Sequence, residues 1–272
     1  MMKQRQLWIV LLLAWSLAPM VWQLISSFST NDALIATPMA FQERWTLQNY
    51  RELWQSNPPF WLYLINSSIV ASVSTLLTLL LALPGAYGIA RLPKLWRQNS
   101  RLFITAAALF PYVLLFLALL ELARTFQLGN NLIALALPYS ALSMPLALLL
   151  LSAAFEGLPQ DLEDAACLEG MGLLQRLRWI LIPLISPATA STGILVFLFA
   201  WNEYPVALTW ISDAKMLTLP VAMARIAGTS VYSIPYGAYA AATVLGSIPL
   251  LVLVLIFQRQ IVSGLTNGAV KG

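Results

Sequence analysis

Few side chains in this sequence are able to do chemistry, and they gather in short groups. Residues 158–187, LPQDLEDAACLEGMGLLQRLRWILIPLISP, place Asp161, Glu163, Asp164 and Glu169 beside two glycines and two arginines, between long apolar runs. WNEY brings Trp201, Asn202, Glu203 and Tyr204 together, and Glu121 stands three residues from Arg124. With no histidine and a single cysteine, Cys167, the chain has no histidine-bearing triad, no histidine metal site and no internal disulfide. A membrane-embedded enzyme would need a convergent catalytic constellation, and none is visible. What remains is recognition. Aromatic faces beside the carboxamide and carboxylate of Asn202 and Glu203 suit a polyhydroxylated sugar. They suit an interfacial girdle or a subunit contact equally well. Glu121 and Arg124 read as a local ion pair at the end of an apolar run.

The 158–187 insert reads as two short helices. Pro159 suits a first helical position, and Asp161, Glu163 and Asp164 set negative charge against the positive helix N-terminus. Ala165 with Glu169, and Ala166 with Gly170, are spaced i to i+4, which gives a flank that a partner can approach closely. Gly170 and Gly172 end or bend this helix. A second helix starts at Leu173, carries Arg176 and Arg178, and runs to Pro183. An acidic helix with a small-residue face fits a groove on another protein better than a negatively charged leaflet.

The elements that must hold these groups are membrane spans. Of the 272 residues, 60% are hydrophobic and 10% charged, against roughly 25% charged in a soluble domain. A crossing helix needs about 20 predominantly apolar residues, and six stretches qualify: 7–28, a run within 61–90, 102–120, 131–155, 180–200 and 236–257. The expected architecture is therefore an all-α membrane protein. Lys3 and Arg5 precede the first stretch as in a signal peptide, but MVWQLISSF offers no small-residue cleavage site, so an uncleaved span is expected. Lys3, Arg5, Arg91, Lys94, Arg97, Arg101, Arg176, Arg178, Arg259 and Lys271 share the face of the termini. Only Arg44, Arg51, Arg124, Lys215 and Arg225 lie opposite, which makes both termini and the insert cytoplasmic. Dispersed among apolar spans, the basic residues form no face for nucleic acid. Pro19, Pro111, Pro145 and Pro249 fall inside spans and read as sources of curvature.

The insert resembles the EAA motif of the inner-membrane permease subunits of binding-protein-dependent ABC importers. Asp164, Ala165 and Ala166 stand at E-A-A, Gly170 at the motif glycine with Glu169 before it, and Ile182-Pro183 at its apolar-Pro end. FAWNEYPVALTWI is similar to the W-N-E segment of sugar-type permeases, SGLTNGAVKG to the ending of maltose-type subunits, and NYRELW with YLINSSIVA to the approach to their second span. Four matches in the correct order identify the family. The resemblance implies a single permease domain over 1–272, with six transmembrane helices, a cytoplasmic coupling loop at 156–182 and a cytoplasmic tail at 263–272. It also implies a bacterial or archaeal cytoplasmic membrane and a second permease subunit, giving a heterodimer. Two cytoplasmic ATPases would bind the ATP and Mg, and an extracytoplasmic binding protein would deliver a sugar; this subunit would hold no cofactor. No G-x-x-x-x-G-K-[ST] loop is present, as that division of labour requires. The coupling residues would be Asp164, Ala165, Ala166, Glu169, Gly170 and Pro183. Trp201, Asn202, Glu203 and Tyr204 are candidates for the pathway or its outer gate. The tail residues Gly264, Leu265, Gly268 and Lys271 would reach the ATPases, their glycines permitting an extended backbone. A polyol, a glycerol phosphate or another compatible solute is the alternative cargo. A secondary transporter would show repeated halves, and no inverted repeat is evident.

Overall fold

In the computed structural model, residues 2–31, 34, 45–226 and 235–269 are described. Among them the chain is helical apart from turns and a single bridge between Ser29 and Trp45. Among the described residues, four helices are long and apolar enough to cross a membrane: Gln6–Ser27 within Met2–Ser27, then Phe60–Ala90, Leu132–Glu156, and Tyr236–Gln258 within Tyr236–Ala269. The other two expected spans are broken. Lys94–Ala108 meets Tyr112–Thr125 at 75°, and Leu173–Leu184 meets Ser186–Asn202 at 82°.

The prolines divide by their surroundings. Pro19, Pro84, Pro138, Pro145 and Pro249 sit inside continuous helices. Pro111 lies at the first break, where the chain tightens into the 3-10 turn Tyr112–Leu115. Three of the four prolines singled out in the sequence thus lie within unbroken helices, and the fourth, Pro111, marks a break. Before the second break, Leu177–Leu181 forms a π turn in which the Ile182 N–H donates to Leu177 O. Pro183, which has no N–H to donate, lies just after this turn.

The chain separates into two compact units, one of residues 1–65 and 217–251, the other of residues 66–216 and 252–272. In the first, the end of Met2–Ser27 is tied down by Gln48–Gln55: Asn49 Nδ2 donates to Ser27 O and Ser29 O at 2.9 Å, and Tyr50 Oη to Ser27 Oγ at 2.7 Å. Phe28 packs against Tyr50 and Trp45 at 5.2 and 6.1 Å between ring centroids, so part of the aromatic content of this segment is internal packing. In the second unit, Leu132–Glu156 is the central helix, packed on both Lys94–Ala108 and Ser186–Asn202. Its start is capped by Asn131, whose Oδ1 accepts from the Ile133 and Ala134 N–H groups at 3.0 Å. Ala82, Ala86 and Ala90 form an i, i+4 row of methyls that lets Phe60–Ala90 approach Ala147, Leu151 and Phe155 closely. Leu177, Leu181 and Ile185 close that core from the insert side.

Candidate functional site

The insert folds into the helix Asp161–Leu168, a turn, and the arm Leu173–Leu184. Its first helix begins two residues after Pro159, with the Glu163 and Asp164 N–H groups both donating to Gln160 O. It ends in a Schellman turn: the Met171 N–H reaches Ala166 O and the Gly170 N–H reaches Cys167 O, both at 3.0 Å. Gly170 takes φ +81°, a conformation in which a side chain is strained. The arm is then started by Gln175, whose Oε1 accepts from the Gly172 N–H at 2.9 Å.

Only Glu163 and Ala166 of this eight-residue helix are buried. The flank of small residues is therefore split, with Ala166 inward and Ala165 outward beside Asp164, Cys167 and Glu169. Leu168 projects with 91% of its surface exposed, and Leu162, Leu173 and Leu174 are exposed as well. The outward face is thus acidic with an apolar ridge. Pro183, also exposed, lies on the arm next to the break. On the arm, the Arg178 guanidinium stands 5.4 Å over the Trp179 ring.

The inward acid has a full set of partners. Arg91 Nε donates to Glu163 Oε1 at 2.7 Å and Arg91 Nη2 donates to the same oxygen, while Tyr87 Oη donates to Oε2 at 2.8 Å. Burial alone would raise the Glu163 carboxyl. The hydrogen bonds from Arg91 and Tyr87, with the charges of Arg91 and Arg176, outweigh it and hold the group below its ordinary value of 4.5. A lowered carboxyl stabilises the fold at every pH above that ordinary value, and the contribution is lost as acidification passes the lower folded-state value. At neutral pH the clasp is fully charged. The sequence marks Asp164 as the coupling acid and Glu163 only as an acid of the first helical turn, with no sign of its pairing with Arg91. Their separation of 72 residues leaves no local signal.

The WNEY group splits in a similar way. Trp201 is 2% exposed and stacks on Phe197 at 5.7 Å, and Glu203 is 3% exposed. Glu203 accepts from Tyr139 Oη at 2.6 Å and from the Val206 and Ala207 N–H groups at 2.9 and 3.2 Å, which joins Leu132–Glu156 to the start of Pro205–Trp210. Asn202 is exposed and bonds back to Leu198 O at 2.8 Å, and Tyr204 is half-buried. The polar atoms of Glu203 are therefore engaged within the chain. Nearby, Asn130 Oδ1 accepts from the Ser212 and Asp213 N–H groups, and Trp210 Nε1 donates to Leu128 O. The expected Glu121–Arg124 pair is absent from the ion pairs among the described residues. Both side chains are exposed, where a pair gains too little to offset the entropy of holding two long chains.

The helix Tyr236–Ala269 continues through Gly264, Leu265 and Gly268, which corrects the expected extended tail. Each residue added to a long helix gains a backbone bond at no nucleation cost, and no proline interrupts SGLTNGA. Lys271 lies outside the described residues.

Residues 75–267 match the family described as binding-protein-dependent transport system inner membrane component. The chain belongs to this family. It is a permease subunit of an ABC importer, a multi-pass membrane protein that transports rather than catalyses, with ATP hydrolysis on a separate subunit. It is 38% identical over 263 residues to the sulfoquinovosyl glycerol transport system permease protein SmoH of Agrobacterium fabrum, covering 96% of this chain and 91% of that one. It is 37% identical to the trehalose/maltose transport system permease protein MalG of Thermococcus litoralis, covering 94% and 92% of the two chains. With the trehalose transport system permease protein SugB of Mycobacterium tuberculosis the identity is 36%, over 96% and 95%. The fold is similar to that of a bacterial ABC transporter involved in import of the acidic polysaccharide alginate, at TM-score 0.77 and 20% identity over 94% and 95% of the chains.

In this permease, Gly170→Leu is expected to insert in the membrane normally and to lose uptake, because a left-handed turn costs a Leu about 1–2 kcal/mol. A Cβ at this position has no neighbour within 4 Å, so the backbone alone sets that cost. Gly170→Asn, which tolerates the left-handed region, is expected to keep most uptake. Solute accumulation in cells, normalised to membrane-inserted protein, checks both.

Proposed function

We propose that this subunit forms half of the translocation pathway for a sugar or related polyhydroxylated solute. A second permease subunit completes the pathway, and an extracytoplasmic binding protein delivers the cargo. The names of the relatives carry this reading: a sulfoquinovosyl glycerol system, a trehalose/maltose system and a trehalose system, each matched over more than nine-tenths of both chains. A glycerol-bearing or polyol cargo is the second reading, favoured by the glycerol in the first of those names. In both, the termini and the insert face the cytoplasm, as the basic residues suggest, and two ATPases there bind ATP and Mg. This subunit holds no cofactor of its own.

The exposed acidic face of Asp161–Leu168, with Asp164, Ala165 and Glu169 around Leu168, is the part of the site that suits an ATPase cleft. Gly170 follows the end of that helix, and Pro183 lies in the short helical stretch Ile182–Leu184 after the π turn of the arm. The C-terminal segment carrying Gly264, Leu265, Gly268 and Lys271 reaches toward the same ATPases. Among the WNEY residues, Asn202 and Tyr204 are the ones left with surface to offer a solute or the second permease subunit. Trp201 and Glu203 support them from within.

The test is ATP hydrolysis by the complex in proteoliposomes, with its binding protein, across a panel of saccharides, glycosides, polyols and amino acids. Stimulation by a saccharide or glycoside is the expected result, and stimulation by polyols alone would select the second reading. Stimulation by amino acids alone would overturn both.

A further inference from the structure

The three ion pairs among the described residues lie on one stretch of chain. Arg91 pairs with Glu163, and Arg97 and Arg101 pair with Glu156 at 3.7 and 2.7 Å. All three arginines come from the segment that leaves the helix Phe60–Ala90 and opens Lys94–Ala108. Both acids flank the turn at 157–160: Glu156 ends Leu132–Glu156, and Glu163 lies in the first turn of the insert helix. The entry to the insert is therefore gripped on both sides from a single segment.

At Glu163 the grip is the principal attachment of the helix. Its only other buried residue is Ala166, whose methyl offers little contact area. The Glu163 carboxylate receives Arg91 and Tyr87, and Arg91 Nη1 also donates to Phe155 O at 3.3 Å, locking the guanidinium to the end of the central helix. Asp164, one residue along, points outward with its surface exposed. Two adjacent acids thus face in opposite directions, one toward this chain and one away from it.

We propose that Glu163 and Arg91, with Tyr87, are positioning residues that fasten the insert helix to the span Phe60–Ala90, so that any displacement of the insert carries that span with it. The inference rests on the reading that an ATPase docks on the outer face of the insert. A helix joined to the bundle only by its two turns would absorb a displacement in those turns. A helix held by a two-armed guanidinium and a phenol transmits it. The span that moves is the one whose Ala82, Ala86 and Ala90 pack in the core of its unit, so the motion passes directly into packed helices.

The experiment uses the complete transporter with its binding protein in proteoliposomes and measures solute moved per ATP hydrolysed. Glu163→Ala and Arg91→Ala are each expected to assemble with the ATPase yet lower that ratio by about tenfold. The exchange Glu163→Arg with Arg91→Glu restores the pair and is expected to recover a large part of the loss. A contribution to folding alone would lower the amount of transporter and leave the ratio unchanged. Should the alanine variants fail to insert, Glu163→Gln keeps an acceptor for Tyr87 and is expected to give a smaller fall in the same ratio. Docking is read separately, from a thiol-to-amine cross-linker placed on Cys167, the chain's single cysteine, which is exposed on the insert helix. A wild-type ratio in the variants, with the Cys167 cross-link to the ATPase intact, overturns the fastening and leaves docking in place. No cross-link from Cys167 in the wild-type complex overturns docking and the fastening with it.

Discussion

Asp164→Lys is expected to release the ATPase from the detergent-solubilised complex, with apparent affinity falling roughly 30-fold or more and uptake lost. Asp164 is exposed on the outward face of the insert helix, beside Ala165 and close to Leu168. On the proposed docking, this acidic face would meet a basic cleft, and a reversed charge would turn that attraction into a like-charge contact. Because Asp164 is exposed and takes part in none of the ion pairs found among the described residues, the variant is expected to insert and fold as the wild type does. Co-purification with the ATPase at increasing salt measures the effect, and an undiminished complex would place the contact elsewhere.

The second large effect is expected at Glu203. In Glu203→Ala, the Tyr139 hydroxyl is left buried with no acceptor, and the Val206 and Ala207 N–H groups lose the oxygens that cap Pro205–Trp210. A buried donor without a partner costs about 1–3 kcal/mol and a lost cap about 1 kcal/mol. The sum, about 2–4 kcal/mol, corresponds to a fall of about 4–16 °C in the unfolding midpoint of the purified protein. Glu203→Gln, which keeps one carbonyl oxygen, is expected to lie between the two. If Glu203 acted only on a solute, transport would fall with no change in thermal stability.

The spans were legible because apolar runs of sufficient length have few other uses, and their number follows from counting them. Their continuity was less so. Pro111 and Pro145 are the same residue type in similar company, yet one marks a break and the other lies inside a helix packed on both sides. Neighbouring helices decide whether a freed carbonyl is tolerated, and those neighbours are distant in sequence. At the insert, Gly170 and the acidic first turn were readable because helix ends have local chemistry. Which of Glu163 and Asp164 turns inward depends on Arg91 and Tyr87, supplied by another span. For the same reason Glu203 read as a candidate solute ligand, since its carboxylate is satisfied by Tyr139 from a helix more than sixty residues earlier. The tail misled through composition: its glycines allow an extended chain but do not prevent a helix already under way.

The 82° elbow between Leu173–Leu184 and Ser186–Asn202 has a mechanical meaning. Arm and span meet nearly at a right angle, as in a bell crank. At 1.5 Å per residue the arm is roughly 18 Å long, so a displacement of about 2 Å at its free tip turns it through about 6°. If the corner at Ile185 stays stiff, held by its place in the core, that rotation appears in the span as tilt instead of a piston stroke. Tilt leaves the depth of each residue in the bilayer almost unchanged and opens one end of the helix more than the other, which is the kind of motion that moves an opening from one side of a membrane to the other.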